Sequence, residues 1–213
     1  MHVPAHFRED RRECLVNFIC NHSFDLPVSV CDDVPVASHI PFLLNVAAEA
    51  NGQLLGHMAR GNPQWRSIES GNPVLATFRR PHAYVVPPWY RSFGVPTWNY
   101  VAVHMYGEGR VIDHAPTVQT TLDRLIIEHE SRRAQPRKPG LPESNLDRLL
   151  AEIIGFEIRI TDIQGKFKLS QNRPEKDRRQ VIEQLRLSGS DTAAALAGLM
   201  EAQLRSVGAS RRS

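Results

Sequence analysis

The feature that most constrains this chain is a succession of short β-prone runs, each bounded by Pro, Gly or Asn, with helices inserted at irregular intervals. The runs are Val28–Val30, Val36–Leu44, Gln53–His57, Val74–Phe78, His82–Val86, Asn99–Tyr106, Gly109–Ile112, Phe156–Ile160 and Lys166–Ser170. Within Asn99–Tyr106 both alternating sets are largely apolar or aromatic, which suits a strand covered on both faces. A parallel α/β fold needs a helix after each strand, and that rhythm is missing. No Gly-x-Gly-x-x-Gly or Walker loop occurs either, which argues against a Rossmann or P-loop domain. The pattern predicts a mainly β, α+β architecture: an antiparallel barrel, closed or partly closed, with flanking helices, because closure removes exposed strand edges.

The helices have their own signals. Asp10 and Glu13 make a capping-box-like start, and Leu15, Phe18 and Ile19 recur at helical spacing over residues 11–21. Asn62 and Pro63 read as N-cap and first residue of a short helix carrying Trp65. Pro116 opens another, with Val118, Leu122, Leu125, Ile126 and His129 on one stripe. Ser144 caps a third, whose apolar face of Leu146, Leu149, Leu150, Ile153 and Ile154 predicts a helix running through Ile154. Arg132–Pro142, with three prolines and a glycine, reads as an exposed loop. Pro174 begins a polar helix, Ser188-Gly189 breaks it, and Asp191–Arg205 forms the last. The expected division is a barrel domain over 1–173 and a helical tail over 174–213 that packs on it.

Composition narrows the function classes. Of 213 residues, 41% are hydrophobic and 23% charged, ordinary for a globular protein. No apolar run approaches the ~20 residues that span a bilayer, and the polar N-terminus lacks a signal-peptide core. A cytoplasmic protein without a membrane partner is expected. Cys14, Cys20 and Cys31 have no paired spacing, so no metal site is expected. A net charge of +3 is a weak argument for nucleic acid, although the basic excess gathers after Asn172. No Gly-x-Ser-x-Gly elbow and no nucleophile–base pair stands out.

Three segments could carry chemistry. Gly56–Trp65 sets His57, Arg60 and Asn62 where a strand passes into a helix, a junction whose free N–H groups and dipole favour a phosphate; a corner held by the Asn62 cap explains it equally. Pro81–Tyr90 and Val95–Tyr100 are aromatic-proline stretches suited to a planar ligand, or to core packing and rigid turns. In Lys166–Pro174 the two lysines share one strand face, which could line an anionic edge or face solvent.

These segments, with Val3–Phe7, Ser38–Leu43 and Gly155–Ile158, resemble the PaiB family in order and along most of the chain. The resemblance implies an FMN-binding split β-barrel, akin to pyridoxamine-phosphate oxidases and flavin reductases, that works as a homodimer with FMN at the subunit interface. Carried over position by position, it implies phosphate contacts on the strand of Ser38 and His39. Next come His57, Met58, Ala59, Arg60 and Asn62, with Arg60 the foremost phosphate partner. Trp98 and Asn99 fall near the isoalloxazine or ribityl chain, and Lys168, Gln171 and Arg173 close the site. The chain departs from the family pattern at Arg80, Gly61, Val86 and Pro88; at the last two, hydroxyls are lost. If those hydroxyls contact flavin, each loss weakens binding by about 0.5–1.5 kcal/mol. The resemblance implies a negative transcriptional regulator, acting on DNA directly or through a partner. An FMN-dependent oxidoreductase and a cofactor-free dimeric scaffold are the alternatives.

Overall fold

The computed structural model describes residues 1–48, 51–131 and 143–210; the loop expected over Arg132–Pro142 lies outside them. The strands are β1 (Arg8–Glu9), β2 (Phe24–Cys31), β3 (Val34–Ala37), β4 (Ile40–Pro41), β5 (Leu43–Asn45), β6 (Gln53–Ala59), β7 (Pro73–Val85), β8 (Thr97–Ile112) and β9 (Ile153–Lys168). The helices are α1 (Arg12–Asn21), α2 (Gln64–Glu69), α3 (Ala115–Glu130), α4 (Glu143–Ala151), α5 (Glu175–Leu187) and α6 (Asp191–Ser210). The hydrogen-bonded strand order is β3-β2-β7-β8-β9-β6-β5, with β4 beside β2 and β1 beside β9. Among the described residues the path ends at β3 and β5, so the sheet is open where closure was one of the two forms expected.

Three long strands replace six short runs. Val74–Phe78 and His82–Val86 are one strand, β7; Asn99–Tyr106 and Gly109–Ile112 are β8; Phe156–Ile160 and Lys166–Ser170 join, up to Lys168, as β9. In β8 the glycines that suggested a turn serve close packing. A Cβ on Gly107 would overlap the Arg159 carbonyl, and one on Gly109 the Ile68 side chain. The helix expected to run through Ile154 stops at Ala151. Ile153 and Ile154 instead pair with Ala59 and Met58 of β6; their helical spacing yields to the sheet ladder.

By contacts the chain forms two compact units, and β7, β8 and β9 contribute residues to both. One unit comprises Arg12–Phe78 and His104–Ile163. Its core gathers Phe42, Phe78 and Phe156, with Phe42 meeting the other two rings edge-on at 5.5 and 6.4 Å. Gly56 makes room for them, since a Cβ there would sit 2.7 Å from Phe156 Cζ. The β2–β3 hairpin turns through Asp32 and Asp33, both at positive φ as a two-residue hairpin loop requires.

The other unit comprises Met1–Arg11, Arg79–Val103 and Gln164–Ser213. Here α5 and α6 bury Val181, Ile182, Leu185, Leu196, Ala197 and Met200. Pro174 precedes α5, and Gly189, at φ +69°, separates the two helices. The helical tail is therefore built into this unit rather than simply solvated. Asp177 on its first turn is buried and accepts bonds from the Arg91 and Ser92 N–H groups and from the Ser92 hydroxyl. The Ser92 bond is the chief cause that holds the Asp177 carboxyl below its ordinary pKa. No helix among the described residues is long and apolar enough to cross a membrane.

Candidate functional site

The residues marked by the sequence fall into two groups, one in each unit. The first is the corner between β6 and α2. Asn62 Oδ1 accepts the Gln64 N–H at 3.0 Å and so caps α2, as its sequence position suggested. The Asn62 amide donates to the Ser38 hydroxyl at 2.8 Å, and Ser38 donates to Gln64 Oε1 at 2.6 Å. Buried Gln64 then donates to the Pro27 carbonyl at 3.0 Å and approaches Ser29 Oγ and the Val36 carbonyl at 3.3 Å. Ser38 and Asn62 thereby fasten α2 to β2 and β3.

Arg60 is similarly committed. Its guanidinium contacts Asp113 at 2.6 Å and donates to the carbonyls of Ala151 at 2.9 Å and Ile153 at 3.1 Å. The Trp65 indole N–H closes the corner on the Arg60 carbonyl at 2.9 Å. His39 is exposed and stacks on Phe24, and Ala59 is exposed. His57 is half-buried; its Nδ1 is buried without a partner among the described residues, and burial lowers its pKa. Met58 belongs to the core, where β6 alternation turns its side chain inward with Leu54.

The second group lies on β7, β8 and β9. Strand alternation sends Trp98 and Tyr100 of β8 to one face and Asn99 to the other. Trp98 is 52% exposed and Tyr84 of β7 46% exposed, with ring centroids 5.5 Å apart; His82 lies 5.8 Å from Trp98. On β9, Lys166 Nζ stands 5.4 Å from the Tyr100 ring and donates to the His2 carbonyl at 3.1 Å. Lys168 donates to the Trp98 carbonyl at 2.7 Å and to the Thr97 hydroxyl, and its Nζ lies 6.0 Å from the Phe7 ring. Burial first, and the Lys166 charge second, push the Lys168 pKa down. Among the described residues neither lysine meets a carboxylate.

The remaining candidates sit beneath or beside this face. Asn99 is fully buried, donating to Ser170 Oγ at 2.8 Å and toward Met200 Sδ at 3.7 Å. The amide is used inside the unit, where an unmatched one would be costly. Gln171 clasps its own turn, accepting the Leu169 N–H at 2.7 Å and donating to the Phe167 carbonyl, around Ser170 at positive φ. Arg173 donates to the Phe93 carbonyl at 2.8 Å and lies 4.5 Å from the Tyr90 ring centroid. The position-by-position resemblance left out His82, Tyr84, Tyr100 and Lys166, although the stretches that hold them were read as able to meet a planar or an anionic ligand. The signal was there, because 82/84, 98/100 and 166/168 are spaced to share a strand face.

What this face can do follows from its donor set. It offers exposed rings of tilted orientation for a planar apolar surface, and two ammonium groups at its β9 border for an anion. A flavin mononucleotide combines those two features, so the residues present fit it. The β6–α2 corner fits less well, because its cation and its hydroxyl are engaged with groups of the chain itself.

Comparison with known proteins gives the family and the fold. A family described as "Putative FMN-binding domain" matches residues 1–162. The "Protease synthase and sporulation protein PAI 2" of Bacillus subtilis (strain 168) is 38% identical over 210 residues, covering 96% of this chain and 99% of that protein. An uncharacterized protein of Emericella nidulans is 32% identical over 201 residues, 77% of this chain and 80% of that protein. Among solved structures, the FAD and heme binding protein of Mycobacterium smegmatis superposes with a TM-score of 0.61 at 20% identity, covering 80% of this chain and 78% of that one. A flavocytochrome of Azotobacter vinelandii gives 0.62 at 12% identity, covering 84% and 78%. At such identities these two likenesses speak for the fold alone.

Proposed function

The chain belongs to the PaiB family of FMN-binding-domain proteins and has a split-barrel fold, mainly β with flanking helices; from that premise we propose that it binds FMN on the aromatic–lysine face of β7, β8 and β9 and serves as a PaiB-type negative regulator. The observation that carries the reading is the exposed Trp98–Tyr84–His82 cluster bordered by Lys166 and Lys168. Trp98 and Tyr84 would lie against the ring system, and the two lysines would hold the phosphate. A charge-assisted hydrogen bond is worth about 1.5–3 kcal/mol. When bound, FMN supplies a redox-active isoalloxazine. The protein's share is to hold that ring and balance its charge. Ser38 and Arg60 would contribute phosphate contacts only by exchanging their present partners. A homodimer is part of the proposal, on the strength of the family resemblance.

Titrating FMN with the protein while following flavin fluorescence tests the reading. The expected result is saturable quenching, with riboflavin, which lacks the phosphate, binding more weakly. No change in flavin emission at any protein concentration would end it. If bound FMN bleaches on adding NADH or NADPH, the chain is an FMN-dependent oxidoreductase and the regulatory part of the proposal gives way.

A further inference from the structure

The cations at the border of the aromatic face have no counter-charge near them. β1 pairs with β9 so that exposed Arg8 lies directly across from Lys166, and residues opposite one another in an antiparallel pair share a face. Lys168, two residues along β9, extends the same row. Glu9, the neighbour of Arg8, is buried and spent on Arg11. Residues 79–85, 97–103 and 164–168, this unit's share of β7, β8 and β9, contain no Asp or Glu. Among the described residues none of the three cations meets a carboxylate.

The apolar part of the surface is held outward beside them. In the loop over residues 91–96, Asp177 accepts the Arg91 and Ser92 N–H groups and Arg173 donates to the Phe93 carbonyl. Gly94 lies against the Tyr90 ring, where a Cβ would fall 2.2 Å from a ring carbon. So fastened, the loop cannot turn Phe93 inward without breaking these contacts, and that side chain is 90% exposed. The two features oppose each other once a second copy covers the face. Apolar burial favours association. A two-fold contact, however, sets a patch against its own like, and a patch of cations without acids brings no counter-charge to itself. Covering it strips water from unpaired charges, which costs more than the contact returns unless an anion joins them.

We propose that FMN controls dimerisation through this face: Arg8, Lys166 and Lys168 oppose association of the empty subunits, and the flavin phosphate, by pairing with them, lets the apolar surface close. This rests on the reading above that FMN binds here in a homodimer, and it adds Arg8 as a third phosphate partner. A protein partner rich in acidic residues would need no flavin, so the occupant can be told apart. By linkage, the factor by which FMN tightens the dimer is also the factor by which dimerisation tightens FMN.

Sedimentation equilibrium of the full chain, stripped of flavin and then saturated with FMN or with riboflavin, tests this. FMN should lower the dimer dissociation constant by about 5- to 150-fold, the usual span of such couplings, and riboflavin should do far less. Replacing Lys166 and Lys168 together by Gln should make the empty dimer tighter than wild type and abolish the response to FMN. Loss of structure would loosen the empty dimer instead. Arg8→Gln should tighten it to a lesser degree, and serves alone if circular dichroism finds the double variant unfolded. An unchanged dissociation constant at saturating FMN, riboflavin as effective as FMN, or an empty double variant no tighter than wild type would each overturn the proposal while flavin binding stands. An FMN-loaded chain that stays monomeric yet binds polyglutamate would assign the face to an acidic protein partner. Failure of FMN to quench at all would remove the flavin reading itself, and the coupling with it.

Discussion

Arg60 and Lys168 are both cations near a strand end, both in segments that resemble a flavin-binding family, yet the structure treats them oppositely. Arg60 is paired with Asp113 and tied to two carbonyls. Lys168 meets a hydroxyl, a carbonyl and the Phe7 ring, with a second lysine beside it. A neutralised cation stabilises its own chain; one that meets only neutral groups keeps its field for an incoming anion. Position in a motif therefore does not fix a role. The partners do.

The contrast can be broken by exchange of charges. Replacing both Lys166 and Lys168 by Gln should weaken FMN about 10- to 100-fold while leaving riboflavin nearly unchanged, since charged hydrogen bonds to phosphate are lost; calorimetric titration of the two flavins separates these outcomes. Asn99→Ala should act differently. It removes a buried amide, costing about 1–3 kcal/mol of stability in urea unfolding, with a smaller effect on FMN than the lysine changes. If flavin affinity collapses while stability holds, Asn99 contacts the ligand after all.

Asp177 supplies a pH test in the same unit. Its pKa is depressed in the folded state, so its contribution is fully present above the unfolded value and is lost as pH falls through the folded one. Thermal melts should show wild type losing stability relative to Asp177→Asn as pH drops below the usual carboxylate range. Parallel curves would deny the Arg91–Ser92 clasp that role. The smallest effect belongs to Arg60→Gln. Its ion pair is largely open to solvent and worth about 0–1 kcal/mol, and FMN affinity should stay within twofold of wild type.

The sequence disclosed most of the elements and fewer of their ends. Residues 11–21, Pro174 and Gly189 are marked by local chemistry, and the structure follows it. Gly107 and Gly109 misled because a glycine can mean a close approach as well as a turn, and only the neighbouring strand decides. Ile153 and Ile154 misled because helical spacing can continue by chance into a strand. For the site, the aromatic stretch around Trp98 was legible as ligand-like or core-like, and exposure resolves which residues are which: Trp98 outward, Asn99 inward.

We place ligand chemistry on the β7–β8–β9 face rather than at the β6–α2 corner, and each region has its own reporter. Trp98 stands on the face, and Trp65 binds the Arg60 carbonyl in the corner. Following the indole N–H resonances in 1H–15N spectra during an FMN titration, with assignments from Trp98→Phe and Trp65→Phe, addresses both at once. The Trp98 indole signal should shift and broaden with saturation while the Trp65 signal stays in place. A Trp65 signal that moves while Trp98 remains still would contradict it.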